Sequence, residues 1–480
     1  MADLNALDAT ALLAALDGRR ISSLELLEAS VARSHQLKTS VNAVVREDLE
    51  QARLRAREID ERRARGETAA QIGMLAGLPM TVKDSFDVNG MPASCGKKAY
   101  LGRVVGDAAV VGRVRTEGAV IWGKTNLPVM ASDWQSFNGL YGTTNNPWDL
   151  ERTPGGSSGG SAAALATGMT PLEIGADIGG SLRIPASFCG VYAHKPTYGL
   201  VPMRGLIGSD PDAEAEPDLA VAGPMARSAR DLRLLLSILA GGTVAAKAQP
   251  MALAGVRIGA WLEDPAFPLD AEVRTAIETF STELANEGAV VEPIRCPVDG
   301  QAVYETYLTL LMPLIAAGMP QGERAMMRAL RLPARLALAM GRPLWALQVR
   351  NATVSHAEWL AANEARAKMG RAMRPLFDRY EVILAPAAPV VAFPHDHRPI
   401  TGRKLTCSDG RRIAYDAMLR WPALATVCGL PATAIPIGLS GEGLPVGVQL
   451  IGPRGGDSRT LAVAEAIEDR LGGFRAPELR

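Results

Sequence analysis

Neither sign of charge prevails in this chain: Lys plus Arg and Asp plus Glu both number 51. Without a net field, a protein built to hold nucleic acid or an anionic membrane surface is not expected. Cysteine is scarce. Residues Cys95, Cys189, Cys296, Cys407 and Cys428 are odd in number, widely spaced and free of any C-x-x-C pair, which argues against a disulfide framework or a zinc site. The first residues, Met1 to Asp8, carry acids where a secretion signal needs a basic region, so a cytoplasmic protein is expected. The longest apolar run, Thr306 to Met319, is broken by Pro313 and falls short of the roughly 20 residues that a membrane span requires. Internal repeats, low-complexity blocks and evident linkers are missing too.

What is present is a chain of 480 residues, 48% hydrophobic, long enough to bury a large core. Ser22-Ser-Leu-Glu25 is a capping box, and 47–65 has helical spacing with mixed charge, so residues 1–65 read as surface helices that brace the remainder. Across about 70–240, glycines cluster and short β-branched runs alternate with helix-like segments, the pattern of an α/β sheet protein. A Leu, Met and Ala-rich stretch from 300 to 380 reads as buried or half-buried helices, or as an apolar substrate entrance lined by adaptable methionines. The tail returns to strands in "YEVILAPAAP", "LPATAIPIG" and "GLPVGVQLIG".

Three stretches invite chemical readings. Gly118 to Thr125, "GAVIWGKT", fits the phosphate-loop pattern and would make Lys124 a nucleotide ligand. The local order contradicts it: helical spacing at Val110, Val111 and Val114 precedes Gly118, and Ala-Val-Ile-Trp between the glycines is what a buried strand wants. The second stretch is "RTPGGSSGGSAAALATG", where Gly156 to Gly160 also fits G-x-S-x-G with Ser158 at its centre. A Ser-His-Asp esterase built on it needs a base from His194, His356, His395 or His397, none in a recognisable signature, and a strand before Gly156 where "NNPWDLERTP" reads as a loop. The third is "LAGLPMTVKDSFDV". A lysine is usually solvated or ion-paired, but a strand from Leu78 to Val82 can carry Lys83 inward, where desolvation disfavours the ammonium and yields a base near neutral pH.

Lys83, "GGSSGGS" and "DIGGSLRIPA" together resemble the amidase signature family, with 74 positions from Lys83 to Ser157 and 24 from Ser157 to Ser181. The similarity runs through "GAVIWGKTN", "YGTTNNPWD", "HKPTYGLVP", "AGPMARSARDL" and "GLPVGVQLIGP", from about 70 to 465. It implies one large α/β/α domain over 66–480, a central mixed twisted sheet flanked by helices. The signature core would occupy about 70–240, a substrate-shaping helical region about 300–420, and C-terminal strands and a helix 421–480. It further implies Ser181 as nucleophile, Ser157 as a relay following a cis peptide from Gly156, and Lys83 as base and acid, with Ser158 and Arg183 in support. Backbone N–H groups of Ile178, Gly179, Gly180 and Ser181 would form the oxyanion hole. The reaction so implied is C–N bond hydrolysis of an aryl or alkyl amide or a carbamate through an acyl-enzyme, without metal or cofactor, in a monomer or homodimer. The rival within the family is the glutamine-hydrolysing component of a tRNA-dependent amidotransferase, which works in a complex. After "GKTN" the chain departs from the usual pattern with Leu127-Pro-Val-Met130.

Overall fold

The computed structural model describes residues 4–207, 214–247, 249, 251–341 and 344–479. The aliphatic runs assemble one eleven-stranded sheet flanked by helices. Its strands are β1 (Val44–Glu47), β2 (Pro79–Lys83), β3 (Val120–Thr125), β4 (Leu172–Asp177), β5 (Tyr192–Lys195), β6 (Val221–Ala226), β7 (Arg257–Ala260), β8 (Val290–Pro293), β9 (Val382–Pro386), β10 (Ala432–Leu439) and β11 (Pro445–Ile451). They lie in the order β1-β3-β2-β4-β6-β5-β10-β11-β9-β7-β8. The sheet is mixed: β2 runs parallel to β3 and β4, and β9, β7 and β8 are parallel, while the middle pairs are antiparallel. Strands covered on both faces show no apolar and polar alternation, which is why β2 and β3 are buried at every position.

The α/β expectation and the single large sheet are found. So is the strand in "GAVIWGKT": β3 is followed by no phosphate-cradling turn, and Lys124 is used internally, pairing with Asp84 at 3.0 Å and donating to the Phe86 and Met91 carbonyls. Two expectations need correction. Residues 1–65 are helical only in part, because Val44–Glu47 pairs antiparallel with β3 as the sheet's edge strand. A four-residue strand gives too short a pattern to stand out between two capped helices. The second concerns 300–380. Helix Gly300–Ala317 is largely buried and continues through Pro313, but helices Gln321–Ala329 and Arg331–Ala339 are mostly exposed, with Leu332, Leu336 and Met340 at the surface.

Two N-terminal helices meet in a small core of their own. The capping box Ser22–Glu25 starts helix Ser23–Gln36, whose Leu27 and Val31 meet Ile59 of helix Leu49–Ala64 around the fully buried Trp122 of β3. This indole couples the brace to the strand beside Lys83. Trp122→Ala is expected to lower stability by about 3–5 kcal/mol through lost burial and the cavity left behind, measured as a lower urea midpoint at unchanged slope.

Candidate active site

Lys83 is the last residue of β2, and side chains of a strand alternate between faces. Thr81 and Lys83 therefore share one face, and helix Gly159–Ala166 packs over it with the Gly155 to Ser158 loop at its start. The consequence is a lysine with 0% exposure whose Nζ lies 2.7 Å from Ser157 Oγ and 2.9 Å from Ser158 Oγ. Burial pushes the ammonium down to about 7, against the opposing pull of Cys95, Asp177 and Glu173. A neutral amine at this position accepts a proton from a hydroxyl near neutral pH.

The peptide Gly156–Ser157 is cis. A side chain at 156 has no room, because a Cβ there would stand 2.4 Å from the Asp133 carbonyl oxygen. Ser158 N–H donates to the Ser181 carbonyl at 3.2 Å, which ties the two serine loops to each other.

The loop after β4 carries Ser181, and Asp177 holds it. One carboxylate oxygen accepts from Gly180 N–H at 2.9 Å and the other from Leu182 N–H at 3.1 Å. The same carboxylate meets Arg183 in a fork, Nε to Oδ2 and Nη2 to Oδ1, each 3.0 Å, with both side chains fully buried. Burial raises the Asp177 carboxyl, but the guanidinium outweighs it and holds it at about 2. Arg183 continues to Gln449 Oε1 at 2.8 Å, the Pro422 carbonyl at 3.1 Å and Thr426 Oγ1 at 2.9 Å. Gly180 sits at φ +90°, a conformation open to glycine, and a Cβ there would collide with Ile184.

Each carbonyl from 178 to 181 is tethered. Tyr307 hydroxyl donates to Ile178 O at 2.6 Å, Trp134 indole to Gly179 O at 3.1 Å, Ile184 N–H to Gly180 O at 2.8 Å, and Ser158 N–H to Ser181 O. In a trans peptide the N–H points opposite to the carbonyl, so each tether also aims the next N–H. Gly180 N–H is spent on Asp177, unlike the four-donor expectation. The N–H groups of Ile178, Gly179 and Ser181 donate to no group among the described residues. Ser181 is 6% exposed and its hydroxyl makes no hydrogen bond with Ser157; contacts of this kind often tighten only with substrate.

The rival bases lie elsewhere. No histidine hydrogen-bonds Ser157, Ser158 or Ser181 among the described residues: His194 is locked between Thr433 and Asp457, His356 stacks on Trp359, and His395 and His397 neighbour each other, His397 stacking on Phe137. Residues that sequence reasoning passed over are Asp177, Glu173, Trp134 and Tyr307. For Asp177 a signal existed, an acid four positions before Ser181 and six before Arg183. Trp134 and Tyr307 carried none, because they reach the loop from 45 and 129 positions away.

Asp177→Asn removes the counter-charge of a fully buried guanidinium. Loss of stability by about 3–5 kcal/mol is expected, seen in chemical denaturation, with slower reaction of Ser181 toward fluorophosphonates in the fraction that folds.

Comparison with known proteins identifies the family and the fold. The amidase family profile matches residues 25–461. In Alkaliphilus metalliredigens, the A component of the glutamyl-tRNA(Gln) amidotransferase is 31% identical over 484 aligned positions, covering 94% of each chain. Among solved structures, a bacterial aryl acylamidase aligns at TM-score 0.78 and 26% identity over 97% of this chain and 96% of its own. The peptide amidase of Stenotrophomonas maltophilia aligns at TM-score 0.76 and 27% identity over 99% of both. With its signature motifs folded onto the sheet end that carries Lys83, this chain belongs to the amidase signature family, hydrolases that act on C–N bonds.

Proposed function

We propose that the protein is a serine hydrolase that cleaves neutral amides, aryl or alkyl, and carbamates through an acyl-enzyme on Ser181. The observation that carries the reading is the dry contact between Lys83 Nζ and Ser157 Oγ at 2.7 Å. In this mechanism neutral Lys83 takes the Ser157 proton while Ser157 takes that of Ser181, whose oxygen attacks the carbonyl carbon. Charge then develops on the carbonyl oxygen, and the N–H groups of Ile178, Gly179 and Ser181 receive it, with Gly180 fixing the loop through Asp177. The C–N bond breaks as the proton returns along the same path to the amine, which leaves neutral. Water, deprotonated by the same relay, releases the acid.

Support for a neutral substrate comes from the flanking charges, which are satisfied within the protein. Asp177 pairs with Arg183, Asp133 with Arg403 at 2.6 Å, and Asp416 accepts from Tyr304 at 2.5 Å beside Arg420. The side chains beside the loop are aromatic and aliphatic: Trp134 packs edge-on against Tyr415, and Tyr307 and Leu419 lie against Gly179. Free glutamine offers both an ammonium and a carboxylate that need open counter-charges.

The second reading, the glutamine-hydrolysing component of a tRNA-dependent amidotransferase, is favoured by the 31% identity over nearly the whole chain. Ammonia release from glutamine compared with aryl amide turnover separates the two, alongside gel filtration. The proposal expects aryl amide hydrolysis by the isolated chain, as monomer or homodimer; activity on glutamine alone, or only with partner proteins, would overturn it.

Lys83→Ala should reduce amide turnover by about a thousandfold, within the range of general acid and base catalysis, while circular dichroism stays unchanged. Because the neutral amine is the competent form and its pKa lies at about 7, kcat/KM should rise as pH increases through 7. Ser181→Ala should form no fluorophosphonate adduct in intact mass spectra; an adduct retained at Ser158 would move the nucleophile there.

A further inference from the structure

Among the described residues, Glu173 is a buried ionisable group on the Lys83 face of the sheet that the mechanism leaves without a task. Glu173 on β4 is register partner to Thr81 on β2, so its side chain lies on the face that carries Thr81 and Lys83. It is fully buried. Thr81 hydroxyl donates to Oε1 at 2.5 Å, while Oε2 has no hydrogen-bond partner among the described residues. Thr125 and Ser161, bonded to each other at 2.8 Å, flank the carboxyl from β3 and from helix Gly159–Ala166. No basic side chain among the described residues forms a salt bridge with it.

The other acidic and thiol groups around Lys83 among the described residues are already neutralised. Asp177 is held by Arg183 and further offset by Lys195. Cys95, from the loop after β2, is pushed up to about 12 by burial and stays a neutral thiol. Asp84 is paired with Lys124, both buried. Glu173 is left. Burial pushes it up to about 7 against the donors Thr81, Thr125 and Ser161, so it changes charge in the pH range in which Lys83 does.

We propose that Glu173 is a positioning residue for the reaction: its carboxylate, on the same sheet face as Lys83, is the counter-charge to the ammonium that Lys83 becomes on taking the proton of Ser157. Without a counter-charge, a lysine this deeply buried is a weak base, because the ammonium it must form has no solvent to receive it. With Glu173 ionised, proton transfer to Lys83 places the new cation on the same sheet face as an opposite charge that no basic side chain has already claimed. Thr81 holds the carboxylate oriented, and no proton passes through Glu173 itself. The inference rests on Lys83 being the base.

The test is the pH dependence of fluorophosphonate labelling at Ser181, which requires no knowledge of the substrate, in the wild type, Glu173→Gln and Lys83→Ala. Glutamine keeps the shape and an acceptor for Thr81 and removes the charge. The expected result is an acid limb displaced to lower pH by on the order of one unit, since an opposite charge nearby raises a lysine's pKa by that much or more. The labelling rate on the plateau should fall with it. A merely structural Glu173 would alter thermal stability and leave the limb in place, which overturns the inference. Thr81→Val serves as a second variant if Glu173→Gln fails to fold; loss of the donor disfavours the carboxylate and should displace the limb in the same direction by less. Lys83→Ala should label slowly with no limb near 7. If it labels like the wild type, the lysine mechanism falls, and this inference with it; if Lys83→Ala is slow and Glu173→Gln keeps the wild-type limb, only the role of Glu173 falls.

Discussion

The buried fork between Asp177 and Arg183 holds the functional end of the sheet together. Its two charges are removed from water, an arrangement that survives only when the remaining hydrogen-bonding capacity is filled. Asp177 fills its share with the N–H groups of Gly180 and Leu182, and Arg183 with Gln449, Thr426 and the Pro422 carbonyl. One ion pair thus joins the end of β4, the glycine loop, helix Arg183–Cys189, β11 and helix Arg420–Val427. The loop that carries Ser181 is short and glycine-rich, and would otherwise be free to sample many shapes.

Around this pair the backbone is specified almost atom by atom. Four successive carbonyls are tied by donors from four directions, so the intervening N–H groups are aimed, that of Gly180 at Asp177 and those of Gly179 and Ser181 at no group among the described residues. Donors fixed before charge develops need no reorganisation when it does, the condition under which hydrogen bonds stabilise an oxyanion strongly. Tyr307 and Trp134 thus belong to the loop's conformation.

Electrostatics governs the neighbouring strands. Lys83, Glu173 and Asp177 stand on one sheet face because strand geometry repeats every two residues, and β2 and β4 are in register at Thr81 and Glu173. A lysine among acids would ordinarily be an ion pair. Here Asp177 is diverted to Arg183, and Lys83 faces two serine hydroxyls instead, which leaves its ionisation governed by burial. The lysine of "GKTN" shows the other outcome. Lys124, as deeply buried on the neighbouring strand, is paired with Asp84 and capped by two carbonyls, a structural cation.

Much of this was legible in the sequence. The α/β class, the strand in "GAVIWGKT", the loop before Gly156 and the helix after it follow from periodicity and from where glycine and proline fall, properties that act over a few residues. The local sequence singled out Lys83 and Ser158, and the resemblance to the amidase signature family implied Ser157 and Ser181. Edge strand Val44–Glu47 and the exposure of helices Gln321–Ala329 and Arg331–Ala339 were not legible, since strand pairing and helix burial depend on partners far along the chain. Nor was the depth of Lys83: an apolar run predicts a buried strand, but only the helix laid across that face removes water from its last residue. By itself the sequence determined which segments become strands and which residues carry nucleophilic or basic atoms, because these are local properties. The tertiary structure decided which of those atoms meet, which charges cancel and which amide groups stay unpaired, because contacts across 45 to 266 positions are fixed by topology and packing.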